Sequence, residues 1–329
     1  MKIFVFLTLF FFMVFGAAYQ NFASGASSQT ENNEVSRTNS SPKEIFFKIE
    51  KICDREKDLD GVRKSAASEL REIEEIRELD ELFLINEFKD SKKDWKYRYS
   101  VLFFLQKFAQ KNAVLVAREA LKESNKNIKL LAISILGNTK DSFSTPRILD
   151  FLNDPDGDIR SASALCLGKI GDKASSKHLV RALNNEQQYI ARINILKSLS
   201  IIKDENTVDD IIHILNNDPS IEVRGLAAIT LGHISNSKCF NALIKSINDD
   251  NDLVQMNSII ALGHTKNVAA LKHLEKFLAD NDKSILAIIS ISKIDGPESS
   301  QIIRGVVGDN NYSLKLRELA QKLLKEKVK

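Results

Sequence analysis

Proline and glycine are scarce in this chain, with five and thirteen among 329 residues. So few chain-breaking residues disfavour a loop-rich β architecture and suit long helical runs. Cysteine is scarcer still: Cys53, Cys166 and Cys239 are the only three. An odd number, widely spread, is not a disulfide framework, and three free thiols are expected, with Cys166 in the core. A surplus of one charge is also missing, since 47 basic and 44 acidic residues leave a formal net charge of +3. Such balance gives no basic footprint for nucleic acid, and none is expected as a partner. Neither a Gly-x-Gly-x-x-Gly nor a Walker-type spacing occurs, so no phosphate-cradling loop is present. Five histidines, His178, His213, His233, His264 and His273, include no pair at metal-ligand spacing with a carboxylate on the same helix face. No nucleophile–base pair can be placed, and no catalytic residue, cofactor or metal site is expected.

What is present begins with an apolar run. Lys2 is followed by an apolar run from Ile3 to Phe15, with Thr8 its one polar residue, then by Gly16-Ala17-Ala18. This is the layout of a secretory signal peptide over residues 1–18, with a second cleavage candidate as late as 26. The run is short for a membrane span, so the mature chain is expected to lack one and to be exported, periplasmic or extracellular. An uncleaved anchor is the alternative. Residues 19–41 form a flexible Ser/Asn-rich leader.

From residue 42 to 329 the chain is periodic. An aliphatic-basic pair followed by small residues starts at Val62, Tyr97, Ile128, Ile159, Ala191, Val223, Val254, about Lys283 to Ile285, and Leu316. Between Tyr97 and Val254 the spacings are 31, 31, 32, 32 and 31 residues. An acid stands five places before the central starts, at Glu123, Asp154, Glu186, Asp218, Asp249 and Asp280. A Leu-Gly pair closes four of the five phrases from Ile128 to Val254, as in Leu231-Gly232, with Leu199-Ser200 the exception. Each phrase (helix B) is preceded by a second amphipathic segment (helix A), often opening with Ser or Thr as a possible cap. Asp154-Pro155 and Asp218-Pro219 break the chain between them. One such hairpin cannot cover its own apolar faces, so the units must stack. The eighth unit is ambiguous: its acid gives a start at Ile285, its later cadence a start at Lys283.

"DIRSASALCLGKIGD" and "EVRGLAAITLGHI" resemble the HEAT-repeat family, in particular the short HEAT-like units first named for phycobilisome lyases. The resemblance is strongest from Asn127 to Gly263. It implies an all-α, right-handed α-solenoid of about nine stacked helix pairs, with B helices lining the inner surface. It also implies a ladder of Asp154, Glu186 and Asp218 with Arg160, Arg192 and Arg224 tying units together. The late glycine ends helix B or lets the next helix approach closely. A charged amphipathic helix closes the stack at the C-terminus.

At 100° per residue, the third, sixth and tenth residues after each start point away from the core. Interaction candidates on that face are Lys169, Asn194, Lys197, Leu226, Ile229, His233, Asn257 and His264. Equivalent places in successive units set His233 and His264 one helix-packing distance apart, roughly 10 Å. Apolar positions with sparse polar groups suit a protein or peptide partner. The expected function is an exported non-enzymatic scaffold. A helper enzyme of the chromophore-lyase type and a purely structural envelope protein are the alternatives.

Overall fold

The structure is a computed structural model and describes residues 42–62, 65 and 78–327. The signal-peptide and leader expectations, and Arg63 of the first phrase, lie outside the described residues. Among the described residues all regular structure is helical. The A helices are α1 (Pro42–Arg55), α2 (Glu78–Lys89), α4 (Gln110–Ala120), α6 (Thr145–Asp150), α8 (Ser176–Asn185), α10 (Val208–Asn217), α12 (Ser237–Ser246), α14 (Leu271–Leu274) and α16 (Pro297–Gly308). The B helices are α3 (Trp95–Phe108), α5 (Lys126–Asn138), α7 (Gly157–Ile170), α9 (Tyr189–Ile202), α11 (Ile221–Ile234), α13 (Asp252–His264), α15 (Ser284–Ser292) and α17 (Leu314–Lys327). Each B helix packs on its own A helix, and successive described B helices pack on one another. The result is an α-solenoid in which no unit is buried without its neighbours.

The capping chemistry explains where the helices begin. Asn125, Asp156, Ser220 and Asn251 accept hydrogen bonds from first-turn amides of α5, α7, α11 and α13. The A helices start differently from the sequence expectation. Ser144, Ser175 and Thr207 make no side-chain cap bond to a helix amide. A short 3₁₀ turn precedes each of these helices and α14, and Asp172, Asp204 and Asn267 cap the turns before α8, α10 and α14, on Ala174, Asn206 and Ala269, while Asp141 before α6 makes no such bond. A carboxylate or amide reaches the amide two residues on more readily than a hydroxyl does, so it claims this tighter turn.

The recurring glycine has one role. It does not end helix B: the left-handed residue that does so lies three places later, at Lys140, Gly171, Lys203, Ser235 and Lys266. Instead the glycine lies against the seventh-position residue of the next B helix. A Cβ on Gly232 would sit 2.7 Å from the Ala261 carbonyl oxygen and 2.8 Å from its Cα. On Gly168 it would sit 2.7 Å from the Cα of Ser198, and on Gly263 2.8 Å from that of Ser290. Ser290 is the seventh residue after Lys283, so the eighth unit starts at Lys283.

The ends of the stack are closed by packing. Phe46 of α1 meets Phe104 and Tyr97 of α3 edge-on, with centroids 5.0 and 6.2 Å apart. At the other end α17 buries Leu316 and Ala320. Its Lys327 ammonium donates to the Ile294 carbonyl at 2.8 Å and to Ser299 Oγ at 2.7 Å. Cys53, Cys166 and Cys239 are free and buried. Cys166 is 2% exposed, as a core residue should be.

Gly232→Val forces α11 and α13 apart and lowers unfolding stability by about 1–3 kcal/mol. Gly305 of α16 has no atom near its missing side chain, so Gly305→Ala raises stability by about 0.5–1 kcal/mol through helix propensity. Urea unfolding of both variants checks this, and equal effects would refute the close-approach role.

Candidate interaction face

The basic row on the B helices belongs to the architecture. Arg192 donates from Nε and Nη2 to both carboxylate oxygens of Asp218 in the next unit, at 2.8 and 3.0 Å. Its Nη1 turns back to the Glu186 and Gln187 carbonyls of its own turn, at 3.2 and 3.0 Å. Arg160 repeats the pattern with Glu186, at 2.6 and 2.8 Å, and with the Asp154 and Pro155 carbonyls. Arg98 pairs with Glu123, Lys129 lies 3.8 Å from Asp154, and Arg224 lies 3.9 Å from Asp249 while donating to the Asp218 carbonyl. Each acid also fixes its own turn: Glu186 accepts from the Gln188 amide and Asp218 from the Ser220 amide. The Arg160 hydrogen bond holds the Glu186 carboxyl below the ordinary glutamate range. A guanidinium with four of its five N–H groups engaged in this way has at most one left for a ligand. The row stops at Gln255, which keeps only the backward bond, to the Asp249 carbonyl.

The remaining side chains of the B helices define the candidate face. Lys169, Asn194, Lys197, Ile229, His233 and His264 are half-buried and line it. Lys169 Nζ donates to Asn138 Oδ1 at 2.6 Å, and Asn194 Nδ2 to Ser161 Oγ at 3.3 Å. Two candidates do not belong. Leu226 is 7% exposed and Asn257 is 2% exposed. Close approach of α11 and α13 covers the third position here, and Asn257 packs its amide over Gly225. Both are packing residues.

The histidine geometry also differs from expectation. The rings of His233 and His264 meet edge-on with centroids 4.8 Å apart, not roughly 10 Å. A helix-to-helix distance measures axes, whereas these side chains lie along the stacking direction beside the tight Gly232 contact. Lys293 Nζ lies 3.4 Å from His264 Nε2, its ammonium donating to the unprotonated ring nitrogen. Burial, with Lys293 behind it, pushes His264 down to about 4. Burial lowers His233 as well. Among the described residues no three His, Cys, Asp or Glu side chains converge to hold a metal ion.

Reading the third, sixth and tenth places takes in Ile201 but overlooks Tyr189 and Ile190, the rest of the most open part of the face. Tyr189, Ile190 and Ile201 on α9 are 51, 56 and 55% exposed. Ile190 precedes the start of its phrase, yet at 100° per residue it falls between Asn194 and Lys197. Continuing the helical wheel one turn upstream would have found it. Burial lowers the Lys197 ammonium's pKa. On the A side, an open cleft of about 630 Å³ lies at the turns joining α8 to α9 and α10 to α11. Its ionic lining is largely engaged, Arg192 with Asp218 and Asp209 with Lys238.

A family model for HEAT repeats matches residues 114–200 and 208–292, more than half of the chain. Among solved structures, the chain resembles yeast importin-beta with a TM-score of 0.54 and 13% identity, over 86% of this chain and 46% of that one. The complex of CpcE and CpcF of phycocyanin lyase from Nostoc sp. PCC7120 matches over 77% of this chain and 96% of that one, with 17% identity and a TM-score of 0.44. Among curated proteins, the epoxyqueuosine reductase of Bacillus subtilis (strain 168) is 34% identical over 79 residues. That stretch is 24% of this chain and 20% of the enzyme.

Because the folded pKa of His264 is depressed, the unfolded chain takes up a proton that the folded chain refuses. Its contribution to stability is therefore complete above the ordinary histidine value of 6.5 and is lost as the pH falls toward about 4. Unfolding curves between those limits should show a shallower acid loss for His264→Gln than for the parent chain. Identical slopes would contradict the buried neutral ring.

Proposed function

Because the chain belongs to the HEAT-repeat family, we propose that it is an exported, non-enzymatic scaffold that binds a protein or peptide along the free face of its B helices. One observation carries the reading. The inter-unit ladder and the glycine contacts consume the repeated residues, and what is left includes Ile190 and Ile201 on α9, each more than half exposed. An arginine row engaged between units offers a partner little, whereas uncovered aliphatics beside polar groups gain by being covered. Export rests on the Lys2, Ile3–Phe15 and Gly16-Ala17-Ala18 layout.

A photo-crosslinking amino acid at Ile201 should give a discrete adduct in the producing cells, while the same group at exposed Lys177 of α8 should not. Adducts at Lys177 alone would move the site to the A helices. Intact mass of the protein recovered from those cells should lack the first 18 to 26 residues. A mass that retains Met1 would argue against processing and leave the anchored form.

A further inference from the structure

We infer that the face around Lys197 takes an acidic-apolar peptide segment, with a side-chain carboxylate on the Lys197 ammonium and aliphatic side chains over Ile190 and Ile201. This rests on the binding-face reading above and adds the chemistry of the partner. Ile190, Ile193, Asn194, Lys197 and Ile201 fall within about 100° of one another on α9 and span about 16 Å along it. In the sixth-position row Lys197 stands between Leu165 of α7 and Ile229 of α11, both half-buried. An ammonium is thus set in an aliphatic strip, and its pKa is lowered by that burial. Among the described residues the Lys197 ammonium has no hydrogen-bond or ion-pair partner, unlike the guanidinium of Arg192 on the same helix and of Arg160 on α7. A partly desolvated charge without a counter-charge is a cost that an incoming carboxylate relieves.

The rest of the face carries no negative charge. From Ile128 to Lys293 no third, sixth or tenth position carries Asp or Glu, whereas Lys169, Lys197 and Lys293 occupy three of these places and the rings of His233 and His264, lowered by burial, two more. The nearest turn acids are committed: Asp172 caps the Ala174 amide, and Asp204 accepts from the amide and side chain of Asn206. A basic segment would meet only repulsion here, and a purely apolar one would bury the ammonium unpaired.

The probes are short fluorescently labelled peptides with one central residue flanked by leucines: Glu, Gln or Lys at the centre. Anisotropy titration of the full chain should show the Glu peptide binding about tenfold more tightly than the Gln peptide, and the Lys peptide weakest. Lys197→Met should abolish the Glu preference yet keep the Gln peptide bound. Ile201→Asp should weaken both. Equal binding of Glu and Gln peptides to the parent chain, with Ile201→Asp weakening both, would overturn the carboxylate anchor and leave the binding face standing. No binding of any peptide, or titrations unchanged by Ile201→Asp, would overturn both. Preferential uptake by phosphatidylglycerol vesicles, lost in Lys197→Met, would replace the peptide with a lipid surface and overturn the inference.

Discussion

A guanidinium held between two units is the interaction on which the rest of this molecule depends. Arg160 and Arg192 each grip the carbonyls of the turn behind them and the carboxylate of the turn ahead. That carboxylate in turn accepts an amide of its own turn. Each rung therefore fixes a turn's conformation and its distance to the next with one set of groups. The pairs are well covered, with Asp218 and Glu186 side chains only 3 and 4% exposed. Removing one partner of such a pair leaves a buried charge unmet, which costs more than the pair contributes.

The rungs work only because the helices behind them are close. Gly168, Gly232 and Gly263 let successive B helices approach until a side chain at that place would strike backbone. The same approach buries Leu226 and Asn257 and brings the His233 and His264 rings into contact. Unit five has Ser200 where units three, four, six and seven have glycine, and α9 is where Ile190 and Ile201 remain uncovered. Architecture thus occupies the repeated residues, and any partner is left the residues that do not repeat.

The stack was legible because its signals are periodic. The acid five places ahead of the starts from Ile128 to Val254, the basic second position and the late Leu-Gly all occupy fixed places in three dimensions. The buried Cys166 was equally plain. Less legible was anything set by distance between helices. Sequence spacing left open whether an arginine meets the acid of its own or the adjacent unit; the structure uses the carbonyl of one and the carboxylate of the other. It also could not decide the register after the two-residue deletion, which the Gly263–Ser290 contact fixes at Lys283. The helical wheel treated the B-helix face as a surface, but in a solenoid that face is shared with neighbours, so its third position is partly roofed. The reverse error hid Ile190, which lies before the phrase that defined the repeat.

The division between a structural arginine ladder and a separate binding face is most directly tested by a double-mutant cycle on Arg192 and Asp218. Unfolding free energies of Arg192→Met, Asp218→Asn and the double variant should give a coupling of about 2 kcal/mol, with the double variant much less destabilised than the two singles together. A coupling near zero would mean that the two residues do not hold the units together, and would return the arginine row to the surfaces available to a partner.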